Sequence, residues 1–291
     1  MARIQQRFNP RQINAFREQG FLVVPNALPK SEIEVMHTLI EKSLLKPTEP
    51  YELEIALGYP GSPINQDRLG KNTIRRLKDA YMRHTQWSNW ATNRHLLCHI
   101  SDLLDTTDIA LTRCHHNCLM TKLPRYSSDT GWHQDIRYWS FQRPNLITAW
   151  LSITQETLTN GCLQVIPGSH RLKYQTKQFD HERFFRDDLA EHQPLIDQAV
   201  PITTQPGDLL LFDACLLHRA DRNQTDQAKY AVVFTYKHRT NRAIEKTRSA
   251  LMQDIALQKH IESFSTGSRS IPQPQHPTNQ PIQKTVIISV F

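Results

Sequence analysis

Several features are missing from this 291-residue sequence, and each absence argues against a class of protein. No stretch approaches 18 uninterrupted apolar residues, so a membrane-spanning helix is not expected. The opening residues "MARIQQRFNPRQ" contain no apolar segment of the kind that a secretory signal requires. Only nine glycines occur, and none belongs to the Gly-x-x-x-x-Gly-Lys pattern of a phosphate-binding loop. We therefore expect a cytoplasmic protein that has no membrane partner.

Cysteine is also scarce, and the positive charge is not concentrated. The five cysteines are odd in number and scattered, which argues against a disulfide framework and for reduced thiols. The formal net charge is +7, but acidic residues separate the basic ones and no dense basic run occurs. We therefore expect no nucleic-acid partner, and the charge suits attraction of a small anionic substrate equally well. The oligomeric state stays open.

The N-terminal third of the sequence predicts helices. In "NPRQINAFREQGF", Asn9 can cap a helix and Gly20 can end it. A short strand "FLVVP" follows, and "SEIE" then indicates a capping box at the start of a second helix. Four prolines within residues 46–70 predict an irregular loop. Residues 73–105 are expected to be helical again.

Short runs of strand-forming residues dominate from there on. The runs are "IALTRC", "NCLMTKL", "LITAWLSIT", "GCLQVIP", "DLLLFDACLLH" and "YAVVFTYK". Helices first and strands later favour an α+β domain whose core is an antiparallel sandwich or barrel. We expect one domain over residues 1–265, with a helical part at 1–105 and a barrel at 106–240. Residues 266–291 are expected to form a Pro/Gln-rich tail with a possible final strand, "KTVIISVF".

The stretch "GWHQDIRYWSF" contains the first candidate ligands of a metal ion. His133 and Asp135 are two residues apart, so on a strand both side chains would point to one face. Downstream, the apolar strand predicted by "GDLLLFDACLLH" would end in His218, before a polar loop. Two imidazoles and one carboxylate form the facial triad of non-haem Fe(II) enzymes, which leaves positions open for other ligands.

These motifs, in this order, resemble the phytanoyl-CoA dioxygenase family of Fe(II)/2-oxoglutarate oxygenases. The likeness includes "FREQGFLVVPNAL", "HNCLMTKLP" and "NGCLQVIPGSH", and it covers about residues 10–240. It implies a double-stranded β-helix, a jelly-roll or cupin-like barrel flanked by N-terminal helices. It also implies Fe(II) on His133, Asp135 and His218, with 2-oxoglutarate and O₂ as co-substrates. Halogenating members replace the carboxylate with a small residue, so Asp135 makes hydroxylation the expected reaction.

The resemblance extends to the residues that would hold 2-oxoglutarate, with one departure. The family's arginine for the distal carboxylate lies eleven residues after the second histidine, where this chain has Lys229. Lysine keeps the charge but not the two-pronged geometry of arginine. Lys229 alternates with Ala231 and Val233 on one face of its strand, which gives it room to point into a barrel. Two alternatives stay open: Lys229 is an edge-strand charge, or Arg222 is the anion partner.

The remaining site predictions are less specific. Trp150 matches a tryptophan that packs near the co-substrate, although an ordinary core position explains it equally well. Gln134 and Arg76 are further candidates for co-substrate binding. The side chains that follow Asp135 are expected at the mouth of the site, where they would contact a small organic substrate: Arg137, Tyr138 and Trp139.

Other kinds of site and function were weighed on the same sequence. "CHHNC" at 114–118 suggests zinc, but ligands one strand step apart cannot close a tetrahedron around one ion. Cys118 and Met120 are more in keeping with a barrel floor. A non-catalytic binding or sensing module with the same fold stays open, because Lys229 departs from the family pattern, and so does a zinc hydrolase using the same three ligands.

Overall fold

The computed structural model describes residues 7–65 and 69–257. The helices α1–α6 are Pro10–Gln19, Lys30–Leu45, Ala80–Arg83, Thr85–Ala91, Arg94–Leu104 and Gln193–Ile196. The strands β1–β13 are Phe21–Val24, Tyr51–Leu53, Ile74–Lys78, Ile109–Leu111, Asn117–Lys122, Thr130–His133, Leu146–Ser152, Leu163–Val165, Val200–Pro201, Leu209–Asp213, His218–Ala220, Lys229–His238 and Ile255–Ala256. The predicted tail over 266–291, with its possible final strand, lies outside the described residues.

The strands form two antiparallel sheets. The larger has the order β1-β10-β7-β12-β5-β3-β2, with β4 paired to β12 and β13 paired to β4, and the smaller has the order β6-β11-β8-β9. Side chains from both sheets meet in one buried cluster, which includes Leu163 and Val165 from the smaller sheet and Phe212 and Val233 from the larger one. The two sheets therefore enclose a common interior, as the jelly-roll prediction requires.

Alternation along the strands separates this interior from a second core. Leu210 and Phe212 of β10 point into the barrel, whereas Leu209 and Leu211 point to the opposite face of the sheet. There they join the buried faces of α2 and α5. A side chain on the inner face of the larger sheet can therefore reach the barrel interior. The adjacent residues of the same strand point to the outer face and pack against the helices.

The first helix begins and ends as predicted. Asn9 caps it in a capping box with Gln12, and Gly20 ends it at φ +85°, in the left-handed region that favours glycine. A Cβ at Gly20 would also lie 2.5 Å from Nδ1 of His170, so this turn fits closely against the barrel.

Four local predictions were wrong. The second helix begins at Lys30 with Pro29 as its N-cap and no side-chain cap, so "SEIE" forms no capping box there. Residues 74–78, expected to be helical, form β3, because they pair with β5 in the larger sheet. The loop predicted at 46–70 contains β2, which pairs with β3. The apolar run expected to end in His218 is broken: β10 ends at Asp213, and His218 begins β11 in the other sheet. No helix within the described ranges is both long enough and apolar enough to cross a bilayer.

Candidate metal centre

Three buried side chains converge where the smaller sheet meets the barrel interior. His133 ends β6 and His218 begins β11, and the two residues are paired across these strands. Asp135 lies two residues beyond the end of β6, at the start of the 3-10 helix Asp135–Tyr138. The prediction that it shares a strand with His133 was therefore wrong. Its Oδ1 lies 3.6 Å from Nε2 of His133 and 3.4 Å from Nε2 of His218. The ligand atoms of all three lie within 4.8 Å of one another.

Backbone carbonyls orient both imidazole rings. Nδ1 of His133 lies 2.8 Å from the carbonyl oxygen of Gly131, and Nδ1 of His218 lies 2.9 Å from that of Leu216. A carbonyl oxygen can only accept a hydrogen bond, so each Nδ1 carries the proton. Each Nε2 therefore presents a lone pair to the point where the three side chains meet.

The carboxylate of Asp135 is held at one oxygen and unsatisfied at the other. Oδ2 lies 3.1 Å from Nδ1 of His116 and accepts a hydrogen bond of 3.4 Å from the Thr148 hydroxyl. Oδ1 is buried, and it has no hydrogen-bond partner among the described residues. A buried carboxylate oxygen facing two imidazole lone pairs is what a divalent cation requires, and this donor set suits Fe(II).

Electrostatics keep Asp135 and His133 in the protonation states that bind a metal ion. Burial alone would raise the pKa of Asp135, but the neighbouring His116, His218 and His133 more than offset it, and the pKa lies well below its usual range. Burial, together with His218, lowers the pKa of His133 to about 3. The site therefore offers an ionised carboxylate and a neutral imidazole near neutral pH.

His116 is a functional candidate that the sequence analysis missed. It belongs to "CHHNC", where zinc was considered, but its ring turns towards Asp135 and lines the cavity. His115 before it adopts φ +66°, which makes a tight turn just ahead of β5. His116 also packs edge-on against Trp139, with ring centroids 5.2 Å apart. No sequence signal reveals this role, because it depends on a contact across nineteen residues of chain.

The predicted anion ligand Lys229 points into the same cavity. Its side chain is 3% exposed and lines the cavity together with the three candidate metal ligands and Trp150. The ammonium group lies 2.9 Å from Oε2 of Glu156 and 5.1 Å from the centre of the Trp150 ring. Glu156 also accepts a 2.7 Å hydrogen bond from Nε1 of Trp150. Glu156, a second residue that the sequence analysis missed, thus ties the predicted lysine and tryptophan together.

A second lysine lies beside the first. Lys122 of β5 is the cross-strand partner of Lys229 and lines the same cavity. Its ammonium group donates to the carbonyl oxygens of Ser128 at 2.8 Å and Ala220 at 3.4 Å, and no carboxylate of the described chain lies within ion-pair distance. Burial, with repulsion from Lys229 and Arg75, lowers the pKa of Lys122 to about 7. An anion entering this end of the cavity would favour its charged form.

Three arginines near the site are neutralised by carboxylates: Arg75, Arg76 and Arg222. Arg76 lines the cavity, on a strand rather than the expected helix, and forms a two-pronged ion pair with Glu52. Arg75 likewise forms an ion pair with Glu54, which compensates its charge. Arg222, the alternative anion partner, pairs with Asp129 and does not line the cavity. As the candidate anion partner, Lys229 is therefore favoured over Arg222 by the geometry.

The other predicted residues divide into two groups. Tyr138 lines the cavity, and Arg137 stacks on it. Gln134 turns away and donates a hydrogen bond to the carbonyl oxygen of Cys215, in the turn that precedes His218. Trp139 is buried, with its Nε1 donating to the carbonyl oxygen of Cys114. Gln134, Arg137 and Trp139 do not line the cavity, so their predicted contacts with co-substrate and substrate stay predictions.

Comparison with known proteins places this geometry in context. The chain is 24% identical to human peroxisomal phytanoyl-CoA dioxygenase over 226 residues, which covers 75% of this chain and 64% of the human protein. The chain therefore spans just under two thirds of that relative. The structure of EctD from S. alaskensis with 2-oxoglutarate and 5-hydroxyectoine superposes with a TM-score of 0.66 at 22% identity, over 83% of this chain and 82% of EctD.

A second similar structure is named for a different reaction. The epimerase SnoN, in complex with Fe³⁺, alpha ketoglutarate and nogalamycin RO, superposes with a TM-score of 0.63 at 18% identity, over 79% of this chain and 83% of SnoN. At this identity the likeness shows the shared fold. The family model described as phytanoyl-CoA dioxygenase (PhyH) matches residues 16–231. The chain therefore belongs to the phytanoyl-CoA dioxygenase family.

Proposed function

We propose that this protein is a Fe(II)- and 2-oxoglutarate-dependent dioxygenase that hydroxylates an unactivated C–H bond of a small organic substrate. The observation that carries the proposal is the carboxylate oxygen Oδ1 of Asp135, which is buried near Nε2 of His133 and Nε2 of His218 and has no hydrogen-bond partner among the described residues. This centre and the two lysines Lys122 and Lys229 line one cavity. A metal site and an anion site in one cavity suit a dicarboxylate co-substrate.

Each residue has a distinct part in this proposal. His133, His218 and Asp135 would hold Fe(II) through Nε2, Nε2 and Oδ1, with three coordination positions left free. Bound Fe(II) would supply the activation of O₂, which is the oxidant, while 2-oxoglutarate and the substrate C–H bond would each give two electrons; the products would be succinate, CO₂ and the hydroxylated substrate. The carboxylate at Asp135 supports hydroxylation rather than halogen transfer, as the family pattern implies.

The lysines would fix the distal carboxylate of 2-oxoglutarate. Lys122 and Lys229 lie side by side on paired strands, so one carboxylate can accept hydrogen bonds from both ammonium groups. Glu156 forms an ion pair with Lys229 and compensates part of the positive charge of the two lysines. Two charged ammonium groups and one carboxylate leave a single net positive charge. Trp150, held by the same carboxylate, would pack against the co-substrate's chain.

The experiment uses the absorption of the iron complex under anaerobic conditions. Fe(II) and 2-oxoglutarate added to the protein should give a weak metal-to-ligand charge-transfer band, and admission of air should then release succinate. The His133→Ala variant should lose both signals. A protein that shows neither signal, and whose behaviour is unaffected by His133→Ala, would instead be the non-catalytic binding module.

The anion site is tested separately through affinity for 2-oxoglutarate. Lys229→Ala should raise the dissociation constant by about 10-fold to 100-fold, the worth of one charge-assisted hydrogen bond in a buried site. Arg222→Ala is the matched control, because Arg222 is a cation paired with Asp129 outside the cavity. Unchanged affinity in Lys229→Ala, or an equal loss in Arg222→Ala, would contradict the assignment.

A further inference from the structure

Three aromatic rings lie beside the metal centre and its cavity. We call Tyr59, Tyr138 and Phe184 the aromatic rim. Tyr59 and Tyr138 line the cavity, and the rings of Tyr138 and Phe184 lie 6.4 Å and 5.9 Å from that of His133. Tyr59 meets Phe184 edge-on at 5.3 Å. Phe184 also packs over the backbone of β6, where a Cβ at Gly131 would come within 3.3 Å of it. The rim therefore provides apolar walls directly beside the candidate iron ligands.

A guanidinium group is inserted between two of these rings. The Arg137 guanidinium carbon lies 4.0 Å from the centre of the Phe184 ring and 4.7 Å from that of Tyr138. It donates to the Tyr138 hydroxyl at 2.6 Å and to the carbonyl oxygen of Glu182 at 3.2 Å. Nε is buried, with no partner among the described residues. Packing between rings holds the group in one orientation while several of its five N–H donors remain available.

Arg137 differs in its charge balance from the arginines deeper in the cavity. Arg75 and Arg76 each pair with a glutamate, Glu54 and Glu52 respectively. Within the described part of the chain, no carboxylate lies within 4.0 Å of the Arg137 guanidinium, whose partners there are all neutral. Within the described residues, no ion pair therefore compensates the charge of Arg137.

The neighbouring loop adds to this charge. Arg183 donates from its guanidinium to the carbonyl oxygen of Arg137 at 3.1 Å, which brings a second cation to the same edge. Asp180 lies close in sequence, but its carboxylate accepts the backbone N–H groups of Glu182 and Phe184, at 2.9 Å and 2.8 Å. It therefore shapes the loop that carries Phe184 and Arg183.

We propose that the primary substrate is an organic oxyanion, a carboxylate or phosphate. Its charged group would be bound by Arg137, and its apolar or ring portion would lie within the aromatic rim. A planar guanidinium matches the paired oxygens of a carboxylate or phosphate, and its attraction is stronger where rings exclude water. This assignment rests on the proposed function, because it takes the reacting carbon to face His133, Asp135 and His218.

The test compares two anionic probes with a neutral one, and the carboxylate and the amide have the same shape. Succinate release from 2-oxoglutarate is measured with 3-phenylpropionate, with phenyl phosphate and with the neutral 3-phenylpropionamide. Binding of each probe is followed by its shift of the anaerobic Fe(II)–2-oxoglutarate band. We expect at least one of the two anions to bind, and to bind about 10-fold to 100-fold more tightly than the amide. The two anions together distinguish a carboxylate substrate from a phosphate.

Two variants connect the preference to the guanidinium. Arg137→Gln should abolish the difference between anion and amide, and Arg137→Lys should restore part of it. The matched control is Arg171→Gln, which removes an exposed arginine of the segment that packs near α1, and it should keep the full difference. If the amide binds as well as the anions, if no anion binds at millimolar concentration, or if Arg137→Gln keeps the preference, the proposal is overturned.

The same measurements separate this proposal from the one on which it rests. The charge-transfer band formed by Fe(II) and 2-oxoglutarate without any probe reports the metal and co-substrate sites alone. A band in the wild-type protein without discrimination between anion and amide overturns only the substrate class. Absence of the band overturns the proposed function itself.

Discussion

Glu156→Gln is the substitution whose effect the structure defines most sharply. Glu156 and Lys229 are 2% and 3% exposed, and their charged atoms lie 2.9 Å apart. Glutamine has the same shape and can still accept the hydrogen bond from Nε1 of Trp150. The change therefore removes a charge from the pair with little loss of packing.

The expected loss of stability follows from the position of the pair. At an effective dielectric constant of about 20, opposite charges at this separation attract by about 6 kcal/mol. Part of that attraction offsets the cost of burying both ions, and removing one partner of a buried pair costs about 3–5 kcal/mol. For a domain of this size the melting temperature should fall by roughly 6–20 °C.

The co-substrate should reverse part of this loss. In Glu156→Gln the distal carboxylate of 2-oxoglutarate becomes the counter-ion of Lys229, so saturating 2-oxoglutarate should raise the melting temperature more than in the wild-type protein. Thermal unfolding with Mn(II) in place of Fe(II) measures this without turnover. Asp188→Asn is the control, because it breaks a surface pair with Arg186 and should leave the melting temperature near that of the wild type. An equal or smaller rise in Glu156→Gln would refute the reasoning.

Three further predictions concern other parts of the molecule. Burial lowers the pKa of Lys122 to about 7, so affinity for 2-oxoglutarate should weaken as the pH rises above 7, by up to about tenfold per pH unit. Titration of the charge-transfer band at several pH values measures this dependence, and Lys122→Met should flatten it. His116→Leu should weaken Fe(II) binding by about 10-fold to 100-fold, since it leaves Asp135 Oδ2 with only the Thr148 hydroxyl; unchanged metal affinity would contradict a positioning role. Leu211→Ala should lower the free energy of unfolding by about 2–5 kcal/mol in denaturant titration and leave 2-oxoglutarate affinity unchanged, because this side chain points to the helices.

The sequence predicted the fold class and most strands because both depend on local patterns. β12 alternates as expected, with Ala231 and Val233 facing the barrel interior and Val232 and Phe234 facing the helices. Prediction was wrong where pairing overrides propensity. Residues 74–78 read as helical, yet they form β3, because the edge of the larger sheet supplies backbone partners for them.

The candidate site shows the same division. The residue types and chain order of His133, Asp135 and His218 were predicted, but the predicted backbone positions of Asp135 and His218 were wrong. Asp135 reaches the centre through a 3-10 helix, and His218 reaches it only after the chain has passed to the second sheet. Cross-strand pairing then aligns the two histidines, which spacing along the chain does not reveal.

The sequence by itself determined the chemistry available to this protein: the two histidines and the aspartate, the lysine in place of an arginine, and the alternation that turns Lys229 inward. Only the tertiary structure decided how these charges are balanced. It placed Glu156 behind Lys229, put Lys122 beside it, paired Arg76 with Glu52, and left Arg137 without a carboxylate among the described residues. The physical reason is that charge compensation depends on distances of a few ångströms between segments far apart in the chain. Those distances exist only once the two sheets have closed around a common interior.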